Sequence, residues 1–363
     1  MTPISLEACS AALGRPVSRL AAGALAIGAA AFALGLVLGH ADAALAALDA
    51  SWLFFAGLSA GSVAFAAAVR VVHGGWARPV LPIADVAAGF FLPALLLLAV
   101  LAAGARGFIP WAGEAGAGGL FGLAVRLLLA TGVLFALGGR FVALARRPGQ
   151  SEGSVQAAGV IYVAAYAVAL SIWAFELVMR LSESPPATVV PAYYFLGAFL
   201  SGLAWVALLA AVRGTSGADL RHDLGKLLFG FIVVWSYLLW ALFLATWYGN
   251  VPEEAEVLLR RWHGSYRPIT VAVLIAVAAW PFWLLFSETM KRRRATLAAG
   301  AGAILLGLWA ERFLLVLPSL RLPGGAIPVG IGACVSLGVA GAFVLSVGSR
   351  MAALGPGRPS PGA

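Results

Sequence analysis

The chain has 363 residues, of which 62% are hydrophobic and 11% charged, and its mean hydropathy is +0.97. Soluble domains carry about 25% charged residues, so the composition excludes a soluble globule and defines a polytopic membrane protein. The net charge of +9 comes from 24 Lys and Arg dispersed between apolar runs, which fits a positive-inside topology and not a nucleic-acid surface; Cys9 and Cys334 alone assemble neither an iron–sulfur cluster nor a disulfide framework.

In chain order, ten spanning helices are predicted at 18–40, 49–72, 80–104, 119–145, 157–181, 189–213, 223–249, 266–289, 295–317 and 326–348. The first has Arg15 and Arg19 before it and an A-x-A-like site at 41–43, but its apolar stretch of about 20 residues exceeds that of a signal peptide, so it reads as an uncleaved helix. Pro82 and Pro93 should bend the third helix, and Pro281 the eighth. The seventh is the clearest: His222, Asp223 and Lys226 mark one membrane face, and no charge follows from Leu227 to Ala245, a run of about 19 residues that covers the roughly 30 Å hydrocarbon core. Trp247 and Tyr248 suit the headgroup level, and Gly249 and Asn250 can end the helix. Pro252 with Glu253, Glu254 and Glu256 suits the first turn of a short helix over 252–262, whose Val257, Leu258, Leu259 and Trp262 oppose Arg260 and Arg261. That helix should lie in the interface. The Gly/Pro-rich tail, 355–363, reads as disordered.

With the N-terminus inside, 16 of the 24 Lys and Arg fall on the inner side and eight on the other, so both termini are expected in the cytoplasm and the 252–262 helix on the periplasmic face. A faint repeat recurs after roughly 140 residues. Phe55-x-Gly57 with Gly61 is answered by Phe195-x-Gly197 with Gly202, Asp85 by Asp223, and Trp173-Ala174-Phe175-Glu176 by Trp309-Ala310-Glu311. Either this is chance similarity among Gly- and Ala-rich helices, or helices 2–5 and 6–9 form two parallel four-helix bundles flanked by helices 1 and 10. On the second reading the chain divides into 1–48, 49–187, 188–318, 319–349 and a tail, 350–363.

Three stretches carry a family resemblance: HDLGKLLFGF…WSY…WYGNVPEE over 222–254, PAYYFLGAFLSGLA at 191–204 and WAERFLLVLPSL at 309–320. Together they resemble the second large membrane subunit of alternative complex III (ActF type), and the resemblance covers roughly residues 50–320. It implies an architecture shared with NrfD/polysulfide-reductase-type quinol subunits and a place in a bacterial quinol:cytochrome c oxidoreductase of the inner membrane. The implied partners are a homologous ten-helix quinol-binding subunit, an iron–sulfur protein and a multihaem cytochrome c, which hold the iron–sulfur clusters and haem c, besides membrane lipids. This chain would be a cofactor-free anchor offering a proton path or a secondary quinone site. Glu176 and Glu311 stand where the family usually has Asp. Leu177 and Leu308 replace a common Trp and a common His.

The residues read by themselves put the chemistry in the few polar groups set into apolar helices, which are costly unless paired or hydrated. On the expected periplasmic side these are Arg126, Glu176, Arg180, Glu311 and Arg312; on the cytoplasmic side, Asp85, Asp223 and Glu288. Glu176 and Arg180, at i and i+4, form a structural ion pair on one reading. On the other, Glu176 and Glu311 accept protons inside their bundles. His222 is either a helix cap or the mouth of a proton path through Asp223, Ser236 and Tyr237. His40, His73, His222 and His263 fall at helix ends or in loops, which suits no haem ligation in the membrane. A free-standing transporter and a purely structural scaffold remain the alternatives.

Overall fold

The computed structural model describes residues 13–110, 116–182, 188–214, 216–249, 252–320 and 325–352. Residues 353–363 of the tail and Asn250 lie outside these residues, as do the side chains of Glu253, Glu254 and Val257, whereas 350–352, expected in the tail, close the last helix. The chain is an all-α polytopic membrane protein with ten candidate spans among the described residues. They are α1 (Arg15–Val37), α2 (Ala41–Val71), α3 (Gly75–Ala103), α4 (Gly116–Ala145), α5 (Glu152–Leu177), α6 (Val190–Arg213), α7 (Ala218–Gly249), α8 (Gly264–Leu284), α9 (Arg294–Val316) and α10 (Ala326–Ala352). A short helix, Pro252–Trp262, joins α7 to α8.

Helices α2 to α5 close a ring in which each packs on the next and α5 returns to α2; α6 to α9 close a second. The rings meet where α2 crosses α6, and the repeated glycines are the crossing point. A Cβ on Gly61 would overlap the Ala198 carbonyl, and one on Gly202 would overlap the backbone of Gly61 and Ser62. Missing side chains are what let two helix backbones approach this closely in a membrane. Helices α1 and α10 form the most extensive pair in the molecule, with Gly28 against Gly338, and lie together against α2. The start of α1 and the end of α10 therefore share one side of the molecule, hereafter the N-terminal face.

Rich in alanine, α2 is enclosed along almost its whole length by α5, α6, α9 and α10. Side chains from its neighbours use its carbonyls: the Tyr162 hydroxyl donates to Ala60 at 3.0 Å and the Tyr194 hydroxyl to Leu53 at 2.9 Å. In the opposite direction, the Trp52 indole donates to the Ala94 carbonyl of α3 at 2.7 Å.

Near the prolines expected to bend α3 and α8 the helix type changes. α3 begins with a 3₁₀ segment, Gly75–Val80, and tightens again at Ala87–Phe90, just before Pro93. In α8 the turn Leu274–Ala279, immediately before Pro281, widens to a π-helix. Four helices start at least five residues before the expected positions: α2 at Ala41 rather than 49, α3 at Gly75 rather than 80, α5 at Glu152 rather than 157, and α7 at Ala218 rather than 223, so His222 sits inside α7 and does not cap it.

Candidate functional site

Five acidic or basic side chains are buried among the described residues: Asp49, Asp85, Glu176, Glu311 and Arg312. Their partners differ sharply, and the difference separates structural ion pairs from a candidate site.

In the first bundle, Glu176 near the end of α5 is fully engaged. Arg126 Nε of α4 lies 2.6 Å from its Oε1, and Arg180 Nη1 lies 2.8 Å from its Oε2. Both arginine side chains are partly exposed, and together they neutralise the carboxylate. Beneath it Trp173 donates to Thr131 Oγ1 at 2.8 Å and packs edge-on against Trp52 at 4.6 Å. Around Glu176 the polar groups of this bundle are paired.

The equivalent end of the second bundle is hollow. Glu311 of α9 is 3% exposed, and neither carboxylate oxygen has a well-formed hydrogen bond. Arg312 Nη1 approaches Glu311 Oε2 to 3.1 Å without hydrogen-bond alignment. The Arg312 guanidinium instead stacks over the Tyr194 ring, 4.5 Å from its centroid. Gly197 leaves room for it, since a Cβ there would come within 2.8 Å of Nη2.

Glu311 lines a cavity of about 360 Å³ enclosed by α6, α7, α8, α9 and the short helix. Its walls are largely apolar, from Leu239, Leu242 and Phe243 of α7 to Val273 and Leu274 at the widened turn of α8. Three of the lining residues carry polar atoms without a hydrogen bond: both Glu311 carboxylate oxygens, the Trp235 indole N–H and Nε of Arg261. Tyr193 and Ser236 complete the polar side, with Tyr193 tilted against Trp235 at 5.6 Å. Burial pushes the Arg261 guanidinium below its ordinary value, while Tyr193 and Glu311 pull it the other way. At the mouth, Trp240 and Trp262 stand exposed. A mostly apolar hollow with a few converging polar groups is the usual form of a small-molecule site, and a π-turn in its wall is a frequent companion of function.

The remaining candidates are scattered. Asp85 sits near the N-terminal face, held by both Arg70 nitrogens at 3.1 and 2.9 Å, with Arg146 at 3.7 Å. Asp223 pairs with Lys226 at 2.7 Å, and Glu288 with Arg292 at 3.0 Å. His222 Nδ1 is buried without a partner in the first turns of α7. Ser236 reaches the cavity, but Tyr237 is 65% exposed on the outer surface, so the two adjacent residues point to different environments.

Two residues escaped the sequence reading. Asp49 is fully buried in α2 with both oxygens unpartnered, about 12 Å along a helix expected to begin at that residue. The continuous alanine-rich run before it was the available signal. Arg261, expected on the polar outer face of the interfacial helix, turns into the cavity, while Arg260 donates to the Pro318 carbonyl at 3.0 Å.

No protein-family model matches the chain, and no curated protein is significantly similar to it. The class that fold and site define is an all-helical, multi-pass membrane protein.

Proposed function

We propose that the chain is an integral subunit of a respiratory quinol:cytochrome c oxidoreductase of the alternative complex III type, and that its second bundle receives a lipophilic molecule with a proton-bearing polar head, such as a quinol. One observation carries this reading: the Glu311 carboxylate faces an apolar cavity of about 360 Å³ with no hydrogen bond of its own. Buried carboxylates are normally hydrogen-bonded, so one whose only charged contact among the described residues is Arg312 at 3.1 Å, beside an indole and a second guanidinium, is suited to a ligand's hydroxyl. A quinol ring would bring the apolar body that Leu239, Phe243 and Leu274 accept and the hydroxyls that Glu311, Trp235 and Arg261 bind. Glu311 would take up a proton at its carboxylate, Arg261 would balance the charge, and the apolar wall would exclude bulk water. Electron transfer belongs to haem c and iron–sulfur clusters in partner subunits, which include a homologous ten-helix subunit alongside the cofactor carriers.

The test is purification of the tagged chain from native membranes in mild detergent. Haem c absorbance and iron–sulfur subunits are expected to accompany it, whereas the polypeptide expressed alone should be colourless. Purification from native membranes without either partner, or a Soret band that stays with the isolated chain, overturns the proposal.

We propose, on the positive-inside distribution, an orientation in a bacterial inner membrane with both termini in the cytoplasm and the cavity on the periplasmic side. A reporter fused after Arg358 should then behave as cytoplasmic, and a tag within 252–264 should react with an impermeant reagent from the periplasm. Reversed accessibility at both positions would invert the orientation.

A further inference from the structure

The N-terminal face carries a second cavity, of about 320 Å³, remote from Glu311. It lies between the α2–α3 turn and the α4–α5 turn, with Arg70, His73, Arg78, Arg147, Gln150 and Gln156 in its walls. Three guanidiniums there face a single carboxylate, Glu152, and none of them is ion-paired with it. The nearby acid, Asp85, is already taken by Arg70 and Arg146, and Arg146 Nη2 is still buried without a partner. Arg78 and Arg147 are exposed and join no ion pair among the described residues. The site therefore concentrates positive charge that the protein itself does not neutralise.

The backbone is shaped to the same place. His73 has φ 55°, the only positive φ at a non-glycine residue among those described, and its Nε2 lies 2.5 Å from Gln156 Nε2. Gly74 N–H donates to the Val69 carbonyl at 2.8 Å, fixing the turn that directs His73 across to α5. Such outliers persist where the surroundings enforce them, and they cluster at binding sites.

Guanidinium forks match the oxygens of a tetrahedral oxyanion. On the same turn Val72 is 72% exposed and Trp76 38%, an apolar edge suited to acyl chains beside the polar hollow. We propose that this cavity binds the phosphate of an anionic phospholipid, with the headgroup between Arg78 and Arg147 and the chains against Val72 and Trp76. Basic pockets between spanning helices are established forms of lipid headgroup site.

Native mass spectrometry of the full chain in detergent, supplied with phosphatidylglycerol or phosphatidylcholine, tests this. The wild type should retain phosphatidylglycerol preferentially, and R78Q/R147Q should weaken that preference about thirtyfold. The single variant R147Q should show a partial loss, which keeps the test informative if the double variant folds poorly. R293Q, an exposed arginine of the same face outside the cavity, should change little. Unchanged retention by R78Q/R147Q, or an equal loss in R293Q, overturns the site. Displacement of the lipid by millimolar inorganic phosphate would overturn the lipid as its source.

Discussion

Gly202→Ala is expected to loosen the junction of the two bundles and to lower the thermal midpoint of the detergent-solubilised chain sharply. The added methyl would overlap the backbone of Gly61 and Ser62. Because backbone cannot rotate away as a side-chain tip can, α6 must shift off α2. Overpacking of this kind typically costs about 1–3 kcal/mol, and a backbone clash belongs at the upper end. That shift would also carry Tyr194 away from the Leu53 carbonyl. Gly230→Ala in α7 is the control, since a Cβ there meets nothing within 4 Å. It should leave the midpoint unchanged or raise it, as alanine is favoured over glycine in a helix. An unchanged or raised midpoint in Gly202→Ala, or a loss in Gly230→Ala as large as that in Gly202→Ala, would mean that the crossing does not decide.

The second large effect concerns the two carboxylates that the repeat relates. With the second bundle working as proposed, Glu311→Gln should leave assembly intact and lower quinol turnover about a hundredfold, the range expected when a positioned proton acceptor is removed. The amide keeps size and polarity, and Arg312 keeps its contact with the Tyr194 ring. Glu176→Gln should behave in the opposite way. It takes the charge from a group that holds Arg126 and Arg180, so stability should fall while turnover per assembled complex holds. Normal turnover in assembled Glu311→Gln complexes would reduce Glu311 to a structural role.

The spans were legible because an apolar run of membrane length suits little besides a helix in lipid, and ten were found where ten were expected. Where charges interrupt such a run, the same logic misleads. Asp49 read as a boundary, although α2 starts eight residues earlier, because a carboxyl shielded by neighbouring helices looks in sequence like one at the surface. The i, i+4 pair Glu176–Arg180 was legible from spacing, and Arg126 was legible as a basic group of the same side, but not as the partner of Glu176, 50 residues away in sequence. Nor was the asymmetry between the bundles. Glu176 and Glu311 occupy matching positions after Trp173 and Trp309, and only tertiary packing decides that one is saturated and the other open. Arg261 makes the same point, since a short amphipathic helix with two adjacent arginines does not disclose which one turns inward.

The enclosure of α2 bears on how the molecule is made. Its neighbours α6, α9 and α10 are translated long after it, so during synthesis α2 waits in the bilayer with its glycine face and Asp49 turned towards lipid or towards whatever insertion factor attends it. An uncovered carboxyl and an alanine-rich helix hold poorly in hydrocarbon, which makes the first half of the chain a transient guest until the second half arrives to cover it. The two halves are thus joined in time as well as in space: a chain that stops after α5 leaves the glycine face of α2 without the helices that cover it.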